Sequence, residues 1–275
     1  MEGAGENQNQ IYKACRKQTL KSTSMKKMSI LLLSLCLNTM SISQTKVIAH
    51  RGAWKNKGIP ENSIASLKYA IELGCYGSEF DVHLSADSIP FVLHDHSIQG
   101  THIEKTSSKD LSKIKLSNGE SLPALETYLN AGKNQTTTRL ILEIKSSSIS
   151  KERSLNLARA CVLLVEKTGV ASITEYIAFD FDVCLKVKEL NPKAIVTYLN
   201  GDKSPEELAA AGLDGFDYHF RVLKNNEHWL EEAHKRKLTT NAWTVNDVET
   251  MRWLIDRKVN YITTNEPEKL LELLK

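Results

Sequence analysis

The chain has 275 residues, of which 41% are hydrophobic and 25% are charged. This composition excludes a wholly disordered chain, and the length suits one α/β domain with a full hydrophobic core. The formal net charge of +3 comes from the first 45 residues, which hold six Lys or Arg and two Asp or Glu. The rest of the chain is close to neutral and shows no clustered basic face, so no nucleic-acid partner is expected.

The first part of the chain has the pattern of a leader. Lys26 and Lys27 precede an apolar run over residues 30–37, which is followed by small and polar residues up to Gln44. Serines stand three residues and one residue before the expected cleavage point, which is ahead of Gln44. A basic, an apolar and a small-residue region in this order predict a secretory signal peptide over about residues 25–43.

The leader as a whole spans residues 1–45, with a polar stretch over residues 1–24 that would be absent if translation began at Met25. The apolar run is too short to cross a bilayer, which takes roughly 20 residues, so no stable membrane span is expected in the mature chain. A short buried helix is the alternative. Cys36 follows a leucine, where lipid attachment favours a small residue, so a lipoprotein is disfavoured. Residues 46–275 are predicted to form one domain, which would be periplasmic or secreted.

After the leader, strand-like and helix-like patterns alternate. Short apolar runs predict strands, and apolar residues at helical spacing predict the helices between them. The predicted strands cover residues 47–50, 78–82, 89–94, 140–144, 176–179, 194–198, 215–218, 239–243 and 261–264. The predicted helices run from Asn62 or Ser63 to Gly74, near 109–114, around 155–165, up to 185, over 205–211, around Trp229, over 248–255 and over 268–274. Residues 97–120 are otherwise predicted to form a polar, irregular loop.

The spacing of the strands predicts the fold. Four residues, 85–88, separate the second and third strands, which is hairpin spacing. Without the return arm of that hairpin, eight strands alternate with helices. This pattern predicts a (β/α)₈ TIM-type barrel, of the α/β class, with a β-hairpin excursion after the second strand. The alternative is an open doubly wound sheet, which usually has a glycine-rich first turn, whereas the first strand here is followed by the single glycine Gly52.

Three cysteines follow the leader, namely Cys75, Cys161 and Cys184. All three lie in helix-like apolar patterns, and no CxxC pair occurs. Buried free thiols are therefore predicted, and neither a disulfide framework nor a zinc site is expected.

Acidic residues lie at strand ends, where a barrel of this kind places its active site. Glu79 and Asp81 are two residues apart and point to the same side of the second strand, and Glu143 lies on the next barrel strand. Three convergent carboxylates repel one another unless a cation binds between them. All-oxygen ligation favours one hard divalent cation, Mg²⁺ or Ca²⁺, over zinc. On their own, Glu79 and Asp81 are equally compatible with an exposed edge strand.

Imidazoles and basic residues lie near the same strand ends. His50 and Arg51 end the first strand, Lys145 follows Glu143 by two residues, and the hairpin register places His94 beside the second strand. Arg51 offers phosphate a planar fork and Lys145 offers a point charge. Two histidines suit a base–acid pair near neutral pH. Each residue alone is more often structural, but the joint arrangement suits metal-assisted chemistry on a phosphate ester.

Two aromatic residues, Trp243 and Phe179, end later strands and are candidates for the wall of a substrate pocket, with packing under the helices as the alternative. Three further histidines, His83, His96 and His102, are interpreted as polar surface or loop residues.

As a set, these residues resemble the glycerophosphodiester phosphodiesterase family. The resembling segments follow in order along the domain, and they are specific together although each would be weak alone. They are Ala49-His50-Arg51-Gly52, Pro60-Glu61-Asn62-Ser63, Glu79-Phe80-Asp81-Val82, Pro90-Phe91-Val92-Leu93-His94-Asp95, Leu142-Glu143-Ile144-Lys145, Trp243-Thr244-Val245-Asn246 and Ile262-Thr263-Thr264-Asn265.

The resemblance implies a (β/α)₈ barrel that cleaves a small-molecule glycerophosphodiester to sn-glycerol 3-phosphate and an alcohol. As a mechanism for these residues, we expect a cyclic phosphate intermediate. The residues that it implies are the metal ligands Glu79, Asp81 and Glu143, the acid–base pair His50 and His94, and the phosphate-binding Arg51 and Lys145. Glu61 is expected to help order the metal shell or the glycerol. Residues 97–124 form a shorter insert than is usual in the family and lack its basic residue soon after His94, which bears on the alcohol side of the substrate.

Other functions fit parts of the pattern, and the alcohol, the choice between Mg²⁺ and Ca²⁺ and the oligomeric state stay open. A phospholipase C- or D-like enzyme acting on intact lipid would have a similar site, but it should carry an apolar rim, and no apolar run occurs between residues 98 and 122. A non-catalytic secreted protein that binds phosphate esters would be expected to lack a catalytic group. A glycosidase using Glu79 and Glu143 would leave Arg51 and Lys145 without a role.

Overall fold

The structure, a computed structural model, describes residues 44–275, and the predicted signal peptide lies outside the described residues. The strands are β1 (Lys46–Ala49), β2 (Gly77–Leu84), β3 (Pro90–Val92), β4 (Ser97–Ile98), β5 (Thr101–His102), β6 (Arg139–Ile144), β7 (Thr174–Ala178), β8 (Ile195–Tyr198), β9 (Gly215–His219), β10 (Thr239–Trp243) and β11 (Tyr261–Thr264). The helices are α1 (Ile64–Glu72), α2 (Ser108–Leu111), α3 (Leu125–Gly132), α4 (Lys151–Thr168), α5 (Phe181–Leu190), α6 (Pro205–Ala210), α7 (Phe220–Asn225), α8 (His228–Lys235), α9 (Val248–Asp256) and α10 (Pro267–Leu273).

Eight parallel strands form a closed barrel, which confirms the predicted TIM-type fold. Their order around the barrel is β1, β2, β6, β7, β8, β9, β10 and β11, and β11 pairs with β1 to close the ring. The short strand β3 adds to β2 in antiparallel orientation, with Val82 opposite Val92. The predicted hairpin excursion is therefore present. Its register matches the sequence expectation, since the amide of Leu93 donates to the carbonyl of Asp81 at 3.0 Å.

Alternating side chains along each strand divide the apolar core into two parts. One set faces the helices and forms the main core, and the other points into the barrel. Inside the barrel, four buried aliphatic side chains pack together: Ile48, Ile141, Ile177 and Leu199. Burying such a side chain contributes roughly 1.5–3 kcal/mol, so this cluster holds the strands that carry the charged residues.

Serine side chains cap several helices, as expected for hydroxyls that accept a backbone N–H. Ser63 caps α1 by accepting from the amide of Ser66, which decides between the two predicted caps. Ser150 caps α4, and Ser204 forms a complete capping box at α6. None of the helices in the described part of the chain is long and apolar enough to cross a membrane.

Some local expectations were wrong. Helix α3 was not predicted, because its eight residues include Thr, Asn and Gly, which weaken a helical pattern. The short helix expected near residues 109–114 is present as α2, but the rest of the segment after β3 is not an irregular loop, since it contains β4 and β5 and covers an apolar cluster of its own. The helix expected around Trp229 is present as α8, but the preceding helix α7 was not predicted. His83 is not a surface residue, because β2 continues past the acidic pair and leaves this side chain 1% exposed.

The thiol expectation is confirmed. The three cysteines of the described residues are free and buried. They lie in the apolar layer between the strands and the helices.

Candidate active site

Three buried carboxylates meet at the C-terminal end of the barrel. Glu79 and Asp81 are two residues apart on β2, so both side chains point into the barrel. Asp81 lies directly opposite Glu143 of β6 in the parallel ladder. One carboxylate oxygen from each residue lies within 4.8 Å of the other two. Their exposed fractions are only 2%, 1% and 8%. Barrel closure therefore concentrates negative charge in a site with little solvent.

This acidic group has the donor chemistry of a site for a hard cation. Glu79 Oε1 and Asp81 Oδ1 are buried and accept no hydrogen bond from any described residue. Burial, with the charges of Asp81 and Glu143 adding to it, raises the pKa of Glu79 well above its usual value. Burial and the charge of Asp81 likewise raise the pKa of Glu143 to about 7. Clustered carboxylate oxygens without hydrogen-bond donors fit a divalent ion of the Mg²⁺ or Ca²⁺ type.

Two basic side chains partly balance the acidic group. Lys145 Nζ lies 2.8 Å from Glu143 Oε1 and 3.3 Å from Asp81 Oδ1, as ion pairs rather than aligned hydrogen bonds. Arg51 Nε lies 3.7 Å from Asp81 Oδ2. Its Nη1 donates to Glu61 Oε1 at 2.8 Å, so Glu61 pairs with Arg51 and lies outside the three-carboxylate group. Both basic residues line the cavity beside the acids, where they can meet an anionic substrate.

A tight turn after β1 places Arg51. Arg51 and Gly52 both have left-handed backbone conformations, with φ of 57° and 79°. A Cβ atom on Gly52 would lie 2.4–2.7 Å from atoms of Ser66, so only glycine fits there. The turn points the Arg51 amide at Glu79 Oε2, to which it donates at 2.7 Å. A left-handed arginine is strained, and such strain is often found at functional sites.

His50 is held in one orientation. It lies just beyond the last residue of β1, and its Nδ1 is 2.8 Å from Asn265 Oδ1, which accepts from the protonated ring nitrogen. Nε2 then lacks a proton and lies 3.9 Å from Glu79 Oε2. Burial, with the nearby Arg51 charge adding to it, lowers the pKa of His50 to about 4. The residue is therefore a neutral imidazole with its basic nitrogen on the side of the carboxylates.

His94 lies two residues beyond β3, in a turn rather than in the strand that the sequence predicted. Its Nδ1 is 2.7 Å from Asp95 Oδ1, and this hydrogen bond lowers the pKa of Asp95. The side chain of His94 is 33% exposed, whereas that of His50 is 17% exposed. His83 Nε2 is 2.9 Å from the backbone carbonyl of His94, and this hydrogen bond stabilises the turn. The two histidines thus differ in access to solvent.

One cavity of about 340 Å³ joins these groups. Both histidines, Arg51 and Lys145 line it, together with Glu79 and Glu143. The predicted aromatic residues line it as well, and Phe179 meets Trp243 edge to face with ring centroids 5.5 Å apart. Trp243 Nε1 donates to the carbonyl of Asp217 at 2.9 Å, which fixes the indole ring. A charged side and an aromatic side therefore face one another across the cavity.

Sequence reasoning missed three polar residues of this site. Asn62 donates to Asp81 Oδ2 at 2.9 Å and accepts from the amide of Asp81 at 3.1 Å, so it clamps that carboxylate. Asn265 orients His50. Both are in segments that carry the resemblance, but nothing local indicates their partners. Asp217 lines the cavity from β9, and its signal was a carboxylate inside an otherwise apolar strand.

Comparison with known proteins agrees with this geometry. Residues 50–269 match the model of the glycerophosphoryl diester phosphodiesterase family. The chain belongs to this family. It is therefore an enzyme that hydrolyses glycerophosphodiesters, as the sequence resemblance implied.

Relatives match over nearly the whole domain. A glycerophosphodiester phosphodiesterase of Caldanaerobacter subterraneus is 30% identical over 250 residues, which cover 84% of this chain and 98% of that protein. A crystal structure of a glycerophosphodiester phosphodiesterase from Parabacteroides distasonis is 46% identical with a TM-score of 0.82, and the match covers 84% of this chain and 97% of that chain. A phosphodiesterase of Oleispira antarctica, solved with the product sn-glycerol-3-phosphate, shares the fold at 21% identity and a TM-score of 0.71, over 83% of this chain and 96% of that one.

Proposed function

We propose that this family member cleaves glycerophosphodiesters to sn-glycerol 3-phosphate and an alcohol, with one divalent cation and two histidines. The observation that carries the proposal is the cavity that brings three buried carboxylates, two imidazoles, a guanidinium and an ammonium together. Carboxylates alone would repel a phosphodiester, so a cation among them is what makes the arrangement useful.

Glu79, Asp81 and Glu143 are proposed to hold the cation, Mg²⁺ or Ca²⁺. When bound, such an ion supplies positive charge that polarises a phosphate oxygen and acidifies a nearby hydroxyl. Arg51 and Lys145 are proposed to hold the phosphate, since a planar fork and a point charge both suit its oxygens. Glu61 keeps the Arg51 guanidinium in place through their 2.8 Å contact. These contacts would balance the negative charge of the phosphate and orient the substrate before reaction.

His50 is proposed as the base and His94 as the acid. His50 Nε2 accepts the proton of the glycerol 2-hydroxyl, because Nδ1 already donates to Asn265. The hydroxyl oxygen then attacks phosphorus, and the bond from phosphorus to the leaving alcohol breaks. Protonated His94 gives its proton to the leaving oxygen, and Asp95 stabilises the charged ring through the 2.7 Å hydrogen bond. Water opens the resulting cyclic phosphate with the two proton transfers reversed, and an internal nucleophile gains from proximity.

A product assay tests this proposal. Purified protein is stripped with a chelator, supplied with Mg²⁺ or Ca²⁺, and incubated with glycerophosphocholine and glycerophosphoethanolamine. We expect metal-dependent release of sn-glycerol 3-phosphate and a transient cyclic phosphate in ³¹P NMR. Release of glycerol and phosphocholine, or full turnover in the chelator, would contradict the proposal.

A matched pair of variants tests whether the loss of turnover is specific to the buried carboxylates. Glu143→Gln should remove metal-dependent turnover, whereas Glu231→Gln should not, because Glu231 lies exposed on α8, where it pairs with Lys235 at 2.7 Å. Turnover of phosphatidylcholine vesicles in preference to the deacylated diesters would instead favour a phospholipase.

We also propose that the chain is exported after cleavage ahead of Gln44 and acts in the periplasm or outside the cell. The first residues after the proposed cleavage point contact the barrel, since Gln44 Nε2 donates to the carbonyl of Leu274 and Thr45 Oγ1 donates to that of Val259. Such cleavage would remove no barrel strand. The N-terminal residue of the protein recovered from cell envelopes, determined by mass spectrometry, tests this proposal, and a mature chain that still begins at Met1 or Met25 would contradict it.

A further inference from the structure

Asp217 is a buried carboxyl that the reaction described above does not use. It lies in β9, is 1% exposed and lines the cavity. Its Oδ1 is buried and has no hydrogen-bond partner among residues 44–275. Leaving such an oxygen unpaired in a folded protein is unfavourable by about 1–3 kcal/mol, so a polar group that is aimed into a substrate cavity points to a ligand.

The position of Asp217 separates it from the cation-binding group. Around the eight-stranded ring, β9 is four strands from β2 in both directions, so Asp217 faces Glu79 and Asp81 from the opposite wall. It is not one of the three residues whose carboxylate oxygens lie within 4.8 Å of one another. Phe179, Leu199 and Trp243 line the same cavity, and Trp243 Nε1 donates to the backbone carbonyl of Asp217 at 2.9 Å.

The surroundings of Asp217 determine what it can bind. Burial, with the charge of Glu143 adding to it, raises the pKa of Asp217 well above its usual value, although the Asn241 amide opposes this. Asn241 lies opposite Asp217 in the ladder, and its own amide group is engaged with Thr263 Oγ1 at 2.9 Å. A carboxyl placed among aromatic and aliphatic side chains suits a neutral hydroxyl, because a hydroxyl can donate to an ionised carboxylate and can either donate to or accept from a protonated carboxyl. It does not suit the phosphate, whose charge Arg51 and Lys145 already meet.

The two arms of the bound diester reach different surroundings. The leaving alcohol must lie beside the acid His94, whose side chain is partly exposed. The glycerol must place its 2-hydroxyl beside His50, which is more buried. A terminal carbon directed away from the more exposed His94 would enter the part of the cavity whose lining includes Asp217. A glycerol arm has apolar carbons for the aromatic side chains and one hydroxyl for the carboxyl.

We propose that Asp217 hydrogen-bonds the terminal hydroxyl of the glycerol arm and so selects diesters in which that hydroxyl is free. This inference rests on the proposed function. An acylated terminal oxygen has no proton to donate, and its chain would have to enter a wall where Asp217 is 1% exposed. Asp217 would thus be a specificity residue that disfavours intact phospholipids. A site built to bond a hydroxyl discriminates strongly against a substrate that lacks it, because its own polar group is then left unpaired.

The decisive experiment compares two diesters that differ in one oxygen. Glycerophosphocholine carries the terminal hydroxyl, and the 2-hydroxypropyl diester of phosphocholine lacks it but keeps the attacking 2-hydroxyl. We expect the wild-type enzyme to prefer the first by about 10-fold or more in kcat/KM, and Asp217→Leu to bring the two within about 3-fold of each other. A preference that Asp217→Leu leaves unchanged would overturn the proposal.

Control variants separate recognition from packing. Ile177→Val changes the volume of the same cavity without removing a polar atom, so it should affect both diesters by the same factor. If Asp217→Leu does not fold, Asp217→Ser withdraws the carboxyl while keeping a small polar side chain, and it should show the same loss of preference. Equal losses for both diesters in the Asp217 variants would mean a structural role and would also overturn the proposal.

Binding to the wild-type protein distinguishes failure of this inference from failure of the proposed reaction. Calorimetry with sn-glycerol 3-phosphate and with 2-hydroxypropyl phosphate needs no turnover. Tighter binding of the first by about 10-fold, lost in Asp217→Leu, would support the contact even if neither diester were cleaved. Equal binding of the two phosphates would overturn it, whatever the assay of the reaction shows.

Discussion

Replacing Glu79 with glutamine should stabilise the metal-free protein and remove its stabilisation by metal. Glu79 is 2% exposed, and its carboxylate lies within 4.8 Å of those of Asp81 and Glu143. Glutamine has nearly the same shape, and its amide oxygen can still accept the 2.7 Å hydrogen bond from the Arg51 amide. The substitution therefore removes charge while leaving the packing and the turn after β1 intact.

The magnitude follows from the separation of the charges. Two unit charges 4.8 Å apart, at the effective dielectric constant of about 20 that suits protein sites, interact with about 3 kcal/mol. Because the pKa of Glu79 is raised, the metal-free protein relieves part of this repulsion by protonating the carboxyl. Glu79→Gln therefore removes only the remaining repulsion, together with the attraction of the ionised carboxylate to Arg51. We expect the net gain in the free energy of unfolding without metal to be about 1–3 kcal/mol. A cation present at 100 times its dissociation constant should stabilise the wild-type protein by about 2.7 kcal/mol and should stabilise the variant much less.

Urea denaturation in a chelator and in added Mg²⁺ or Ca²⁺ measures both effects. The order of stability should reverse, with the variant the more stable protein in the chelator and the wild type the more stable at saturating metal. Glu231→Gln serves as the control, because it removes an exposed charge of the same type and should respond to metal as the wild type does. A variant that is less stable than wild type in the chelator, or that keeps the full metal response, would refute the electrostatic argument.

Further predictions concern catalysis, acid stability and the thiols. His94→Ala should lower the rate of glycerophosphocholine cleavage by about 10²–10⁴-fold because the leaving alcohol loses its proton donor, and near-normal turnover would contradict the acid role. Burial alone would raise the pKa of Glu104, but hydrogen bonds from Ser147 and Ser148 outweigh it and lower that pKa. The folded state then binds a proton less readily than the unfolded state, so this stabilisation is present above the ordinary value of 4.5 and is lost as the pH falls through the lower folded-state pKa. Glu104→Gln should reduce the free energy of unfolding near neutral pH by about 2–4 kcal/mol and flatten its acid dependence in urea titrations, and an unchanged slope would contradict this. Burial raises the thiol pKa of Cys75 and of Cys184 to about 12, and raises that of Cys161 as well, so peptide mapping should find them alkylated only after unfolding, and rapid labelling in the native protein would contradict their burial.

The barrel itself could be predicted from the sequence because its signals are local. Apolar runs and helical spacing depend on residues only a few positions apart, and their regular alternation has few compatible topologies. The hairpin was predictable for the same reason, since four residues cannot form a crossover. Helix α3 escaped prediction because eight residues with weak helical preference are stabilised by packing rather than by their own pattern.

The acidic group was partly predictable, because the residue types and the two-residue spacing of Glu79 and Asp81 are local features. The roles of the residues stay predictions until the variants are measured. The burial of His83 was not predictable, because it depends on β3 and on the segment that covers the hairpin.

By itself, the sequence determined the class of fold, the segments that end in charged residues and the chemistry to which those residue types are suited. The tertiary structure alone decided which groups meet. Asn265 orients His50 from 215 residues away along the chain, and Asp217 faces Glu79 across the barrel because their strands are four places apart in the ring. Contacts of this kind depend on strand order and on the closure of the barrel, and no stretch of neighbouring residues encodes either.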